Sequence, residues 1–248
     1  MTSTEVAVIV FLRCPKPGQV KSRLARRIGA DNACSVYEEC AKRVLRRMHG
    51  IRGRARCFVF YSVAEEKEEV GNWLGTIGCS ALIEDMCAQK QSDNLGDRII
   101  DAFRVVRGKG YSIIGIVGTD VPELEGCIVE KAIDAVLHAS EETKRSAAVL
   151  GPSLDGGFYA MIVDCCGMSI QEGALDGIPW STDAVLGETS QALGRAGYLV
   201  VSSEDAGIPS LRDIDEFEDL CEWYRGANTL SGEDALRDVA NNIISDFA

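Results

Sequence analysis

The chain reads as one α/β domain, a mostly parallel sheet with helices on both faces in a three-layer α/β/α arrangement. Three observations predict it. Short apolar, β-branched runs alternate with segments whose apolar residues recur every three or four positions. Several of those runs are continuously apolar, as strands buried on both faces are. Finally, 248 residues, 46% hydrophobic and 26% charged, suit one large α/β domain better than two small ones.

The elements follow in order. Val6–Leu12 is the first strand, far short of the roughly 20 apolar residues needed to cross a bilayer. The preceding Met-Thr-Ser-Thr-Glu lacks the basic start of a secretory signal. Asp31 is placed to cap a helix in which Ala33, Val36, Tyr37, Cys40, Ala41, Val44, Leu45 and Met48 share a face. On that helix Lys42, Arg43, Arg46 and Arg47 read as a solvated face. Arg56–Ser62 is a strand, an acidic helix begins near Ala64, and Ser80–Glu84 is a short strand. Asn94–Val106 has the helical period again, Ser112–Val117 is a buried strand, and Glu125–Leu137 is helical. Strands at Ala147–Leu150 and Phe158–Val163 come next, then a helix after Thr182 and a strand at Tyr198–Val201. Two helices close the chain, the last with Ser231 and Asp234 spaced as in a capping box. No linker, repeat or low-complexity tract divides residues 1–248.

Composition narrows the function. The ten cysteines are scattered, several inside apolar runs and none in a C-x-x-C pair, which predicts free thiols and a reducing, cytoplasmic setting. With only His49 and His138, a His/Cys zinc site is not expected, and any metal should be hard and oxygen-bound. The net charge of −12 hides an asymmetry: residues 1–56 hold 13 of the 26 Lys/Arg and four acids, a balance of +9 against −21 for the rest. An acidic body argues against nucleic-acid partners and leaves room for a local anion site near the start.

Sheets of this class bind ligands in the loops at the carboxyl ends of their strands. The unusual residues lie in such loops. After the first strand comes Arg13-Cys14-Pro15-Lys16-Pro17-Gly18-Gln19-Val20-Lys21-Ser22-Arg23, a loop fixed by proline and glycine that leads into a helix bearing two cations. Lys21 and Arg23 could neutralise a nucleotide's phosphates, although a loop with surface cations is an equal reading. Neither a Walker A pattern nor G-x-G-x-x-G is present. Gly118-Thr119-Asp120-Val121-Pro122 ends the most apolar strand, where Asp120 either coordinates Mg²⁺ or Mn²⁺ or caps a helix starting near Pro122. Asp155-Gly156-Gly157 is either a hairpin turn or a site in which Asp155 orients a hydroxyl or acts as a general base. Trp180-Ser181-Thr182 precedes a helix; Trp180 stacks on a base or sits in the core, and Thr182 is a candidate N-cap. Asp213 is free to complete a metal site, whereas Asp215 also resembles a helix start. Asn94-Leu95-Gly96-Asp97-Arg98 alone reads as a solvated helix start.

Together these segments resemble the nucleotide-diphospho-sugar transferase superfamily with the GT-A fold. More narrowly, they are similar to a glycosyltransferase-like family labelled radical-SAM/selenodomain-associated transferase. The family's F-x-K-x-P-x-x-G-x-V-K-T-R-L is matched by Phe11, Pro15, Gly18, Val20, Lys21, Arg23 and Leu24, and its D-L-G-x-R-M by Leu95, Gly96 and Arg98. Further matches are G-x-D-x-P at Gly118, Asp120 and Pro122, L-G-P-x-x-D-G-G-[YF]-Y at Leu150 to Tyr159, W-S-T at Trp180 to Thr182 and D-[VI]-D at Asp213 to Asp215. The likeness spans about residues 6–221 and leaves 222–248 as a helical tail. Ser22, Ile99 and Val121 depart from the pattern, and none of these changes removes a charge.

The resemblance implies Asp120 as metal ligand; beside it Asp213 and Asp215 stand as further ligand candidates, and Asp155 and Asp120 as catalytic candidates. It places Lys21 and Arg23 at the nucleotide phosphates, with Pro15, Gly18 and Arg98 in the same group. Gly156, Gly157, Trp180, Ser181 and Thr182 are candidates for substrate contact. The expected activity is metal-dependent transfer from a nucleotide-diphospho-sugar to a small-molecule acceptor. Nucleotidyl transfer from a nucleoside triphosphate is the alternative, because the Lys21 segment is also similar to phospholactate guanylyltransferases. A nucleotide-binding regulator without turnover is a third reading, against which the intact carboxylates argue.

Overall fold

Seven strands form one sheet in a computed structural model that describes residues 5–226 and 234–247. They are β1 (Val6–Leu12), β2 (Arg56–Tyr61), β3 (Met86–Ala88), β4 (Ile113–Val117), β5 (Ala147–Pro152), β6 (Phe158–Asp164) and β7 (Leu199–Val201). Their order is β3-β2-β1-β4-β6-β5-β7. Among the described residues only β6 is reversed, running antiparallel to both β4 and β5. The cause is the short Ser153–Gly157 connection, which can close a hairpin but cannot make the crossover that parallel strands need.

The helices are α1 (Ser22–Ile28), α2 (Ala30–Gly50), α3 (Lys67–Thr76), α4 (Leu95–Gly108), α5 (Gly126–Thr143), α6 (Val185–Arg195), α7 (Phe217–Gly226) and α8 (Ala235–Phe247). β1 shows how the sheet is covered. Val6, Val8, Val10 and Leu12 face a core shared with α2, α3 and α5, while Ala7 and Ile9 face one shared with α4 and α6. Both sides of the strand are dry, which explains its unbroken apolar run. A third cluster lies outside this sandwich: Leu24 and Ile28 of α1, Phe217, Leu220 and Trp223 of α7, and Leu236, Ala240 and Ile243 of α8 pack on Ala33, Val36 and Cys40 of α2. So α2 is buried along two sides.

The structure corrects four expectations. Residues Ser80–Asp85 form a 3-10 turn in which only Leu82 is buried, and the edge strand comes after it at Met86–Ala88. Asp31 is not a cap; it lies in the first turn of α2, which starts from Gly29 at φ 84°. The cations of α2 are not a solvated face. Lys42 pairs with Glu38 (2.9 Å) and Glu39 (2.8 Å), and Arg43 pairs with Asp234 and lies 5.6 Å from the Trp223 ring centre. Arg46 donates to the Ile77 carbonyl (3.4 Å), and Arg47 donates to those of Pro122 (2.6 Å) and Leu124 (3.2 Å). Arg43, Arg46 and Arg47 thus reach neighbouring segments, which periodicity cannot show, whereas both partners of Lys42 lie on α2 itself. Fourth, α6 starts at Val185 from Ala184, so Thr182 is not its N-cap. Ser231 lies outside the described residues, while Asp234 accepts from the Arg237 N–H (3.2 Å) at the start of α8. All ten cysteines are free, and among the described residues no helix is long and apolar enough to cross a membrane.

Candidate active site

The chain leaves β1 for β2 on one side of the sheet and returns to β4 on the other, so the loops after β1 and β4 diverge around a crevice. The loop after β1 is shaped by Lys16-Pro17-Gly18-Gln19, with Gly18 at φ 79° and the Gln19 N–H donating to the Lys16 carbonyl (3.1 Å). Proline then glycine at positive φ is the chemistry of a type II turn. Lys16 points away, to Glu66 (2.8 Å) and Glu69 (2.5 Å). The turn delivers Lys21, itself in the left-handed region (φ 49°), to the start of α1.

Lys21 is the centre of the site. Its side chain is 4% exposed, and its Nζ lies 2.9 Å from Asp120 Oδ2 and 2.7 Å from Asp215 Oδ1. Residues from three distant parts of the sequence thus meet at one ammonium. Arg23 Nη1 is 3.8 Å from Asp215 Oδ2 and half exposed. Burial alone would raise the Asp215 carboxyl, but Lys21, Arg23 and Arg13 together hold it below its usual range. Lys21 is correspondingly held in its charged form: burial opposes the charge, and the two carboxylates outweigh it.

Asp120 does not cap a helix, since α5 begins only at Gly126 behind Glu125. Its carbonyl instead accepts from the Ile214 N–H (3.1 Å). The 211–215 segment is pinned at its other end to the β5–β6 hairpin, through Leu154 N–H to the Leu211 carbonyl (2.9 Å) and Leu211 N–H to the Pro152 carbonyl (3.0 Å). This pinning brings Asp213 and Asp215 to the rim. Asp213 is pushed up to about 6, first by burial and then by the negative charges of Asp155 and Asp215. Asp155 occupies the hairpin turn, its Oδ1 accepting from the Gly157 N–H (2.8 Å), and it remains exposed. The turn reading therefore holds, and because β6 is reversed the turn projects at the same rim as Asp120. Gly156, at φ 90°, packs against the Asp183 backbone and accepts from the Leu186 N–H (2.9 Å).

The cleft bounded by these loops has a volume of about 560 Å³. Of the candidates from sequence, Lys21, Arg23, Arg98, Asp120, Trp180, Ser181 and Asp215 line it. Pro15, Gly18, Asp155, Gly156, Gly157, Thr182 and Asp213 do not line it; they shape or adjoin its walls. Trp180 is half-buried, edge-on to Phe158 (6.4 Å between ring centres), and its Nε1 donates to Asn94 Oδ1 (2.9 Å). The same Asn94 oxygen caps α4 by accepting from the Gly96 N–H (2.8 Å). Ser181 adopts φ 66°, and the Thr182 hydroxyl donates to the Pro179 carbonyl (2.7 Å).

Among the lining residues that sequence reasoning passed over are Arg13, Ser62 and Gln89. Position could have found them, since each directly follows the carboxyl end of β1, β2 or β3. It also missed Tyr37, whose buried hydroxyl accepts from the Arg13 N–H (2.9 Å), donates to the Arg13 carbonyl (3.2 Å) and lies 3.1 Å from Thr119 Oγ1. That hydroxyl ties the loop after β1 to the loop after β4. A larger cavity, about 700 Å³, runs along the outer side of α4, but its cations are engaged: Arg104 with Asp101 (2.5 Å), Arg107 with the Cys165 carbonyl (3.0 Å).

Residues 50–182 match the model of a family described as uncharacterized protein conserved in bacteria (DUF2064). The chain belongs to the DUF2064 family. The matched stretch includes Arg98, Asp120, Asp155 to Gly157 and Trp180, while the Lys21 loop and the Asp213–Asp215 segment lie outside it. No curated protein matches this DUF2064 chain. Among solved structures, it is 25% identical to a Desulfovibrio desulfuricans G20 protein provisionally named a nucleotide-diphospho-sugar transferase, over 98% of each chain with a TM-score of 0.78. A cytidylyltransferase from Leptospira borgpetersenii serovar Hardjo-bovis (strain JB197) is 14% identical over 98% of this chain and 95% of its own, with a TM-score of 0.53. The 4-diphosphocytidyl-2C-methyl-D-erythritol synthase of Anaerococcus prevotii DSM 20548 is 9% identical over 86% and 94%, with a TM-score of 0.50. The last two likenesses bear on the fold alone. This DUF2064 chain has the nucleotide-diphospho-sugar transferase fold.

Proposed function

We propose that this protein is a metal-dependent transferase whose donor is a nucleotide-diphospho-sugar and whose acceptor is a small molecule. The observation that carries the reading is the Asp120–Lys21–Asp215 cluster at the switch point of the sheet, at 2.9 and 2.7 Å, opening into the cleft. The provisional name of the Desulfovibrio protein points the same way.

The residues fit a hard divalent cation in part. Asp120 and Asp215 are oxygen donors already converging on one positive charge, the ammonium of Lys21. Among the described residues no third His, Cys, Asp or Glu completes a metal cage with them. That suits Mg²⁺ or Mn²⁺, which commonly take only one or two carboxylates and complete their shell with phosphates and water. Such an ion supplies charge neutralisation at the departing phosphate. Lys21 keeps the two acids neutralised in the free protein, Arg23 adds positive charge at the cleft mouth, and Trp180 offers a flat apolar wall for a base or sugar. Asp155 in the hairpin turn and Asp213 in the segment pinned against it are the groups to accept an acceptor proton.

A second reading is nucleotidyl transfer from a triphosphate, favoured by the four cations Arg13, Lys21, Arg23 and Arg98 lining one cleft. The assay offers nucleotide sugars, then triphosphates with sugar phosphates, each with Mg²⁺ or Mn²⁺. Release of nucleoside diphosphate supports the first reading and pyrophosphate the second. Thermal stabilisation without turnover would make the protein a nucleotide-binding regulator. Asp120→Ala is expected to abolish metal-dependent nucleotide binding; binding unchanged in that variant overturns the metal assignment.

A further inference from the structure

The cations of the cleft divide into two kinds. Lys21 is spent on Asp120 and Asp215, and Arg23 leans on Asp215. Arg13 and Arg98 are different: among the described residues, neither has an ion pair with a carboxylate. Arg98 rises from the first turn of α4, and its Nε is buried with no hydrogen-bond partner. Burial and the neighbouring positive charge of Arg13 both act against its charge, and only Asp93 favours it. Arg13 is fixed through its main chain by Tyr37, while its side chain stays exposed. Two guanidiniums close enough to repel, one with a desolvated and unsatisfied N–H, are costly in a free protein. An anion with several oxygens placed between them would remove both costs, because each guanidinium presents a planar fork of donors.

We infer that Arg13 and Arg98 together form the phosphoryl seat of the cleft, and that Lys21 serves as the internal counterion of Asp120 and Asp215 instead of a phosphate ligand. The inference deepens the proposed function, on which it rests for the choice of a phosphoryl group. The seated phosphoryl comes either from the nucleotide donor or from a phosphorylated acceptor.

Titration calorimetry of the full chain in EDTA, with inorganic pyrophosphate as probe, tests the seat without requiring any nucleotide. Arg13→Gln and Arg98→Gln are each expected to weaken pyrophosphate binding about tenfold or more, since each removes charge-assisted hydrogen bonds. Arg26→Gln, which removes an exposed cation outside the cleft, controls for net charge and should change it less than about threefold. The unliganded melting temperature of Arg98→Gln should equal or exceed that of the parent, because a repelling charge is gone; a merely structural arginine would lower it. Parallel titrations with nucleoside diphosphates and with glucose 1-phosphate assign the source, according to which ligand loses affinity in the two variants. Failure of the parent to bind pyrophosphate, or losses no larger than that of Arg26→Gln, overturns the seat. If pyrophosphate binding depends on both arginines but no nucleotide binds the parent, the seat stands and the nucleotide-donor reading falls.

Discussion

Replacing Lys21 with methionine tests the electrostatic core of the site. Methionine keeps much of the side chain's length and apolar stem but leaves Asp120 and Asp215 facing each other without their shared cation. Removing one partner from a buried ion pair costs roughly 3–5 kcal/mol. The Lys21 side chain is buried, but Asp120 and Asp215 remain 43% and 37% exposed, so water takes over part of the ammonium's work. A loss of about 2–3 kcal/mol at neutral pH is therefore expected. Urea unfolding in EDTA measures it. The pH dependence carries the sign: Asp215 is held below its usual range in the folded protein, so its contribution is present above the unfolded carboxylate pKa and lost as pH falls through the folded value. The difference between the parent and Lys21→Met should accordingly shrink below about pH 4. Added Mg²⁺ should also restore part of the loss, by giving the two carboxylates another cation. A difference under about 1 kcal/mol at pH 7, or one that persists unchanged at pH 3, would refute the account of Lys21 as their counterion.

Two further substitutions examine how the walls are held. Gly156→Ala would place a methyl group 2.5 Å from the Asp183 Cα at a backbone φ of 90°. It should destabilise by about 2–4 kcal/mol in thermal or urea unfolding, the sum of overpacking and strain. Tyr37→Phe removes the hydroxyl shared by Arg13 and Thr119 and orphans the Arg13 N–H. A loss of about 1–3 kcal/mol in urea unfolding is expected, together with weaker pyrophosphate binding as the Arg13 loop loosens.

Most of the sheet was legible because its strands are dry on both faces and its helices have one strong apolar stripe. The edge was not. Met86–Ala88 is three residues long, and the apolar run before it coils into a 3-10 turn with one buried side chain. The loops carrying Lys21 and Asp120 were legible by position, at the ends of the first and most apolar strands. Their meeting was not, because it depends on the Ile214 N–H reaching the Asp120 carbonyl, a contact between segments nearly a hundred residues apart. The α2 cations misled for a related reason: Arg46 reaches the Ile77 carbonyl, and Arg47 reaches the Pro122 carbonyl and the Glu125 carboxylate, in loops that no helical period reveals. Arg98, alone, reads as a solvated helix start, and only the sheet order turns it toward Arg13.

The order in which these parts are laid down has a consequence for biogenesis. A nascent polypeptide can assemble the whole sheet once Val201 has left the ribosome, yet Asp215 has still to emerge and be drawn back across the hairpin by Leu211 and Ile214. Until then Lys21 has Asp120 as its sole neutralising acid. Ligand competence should therefore emerge later in translation than protease resistance of the scaffold, with the interval set by the few residues between the final strand and that last aspartate.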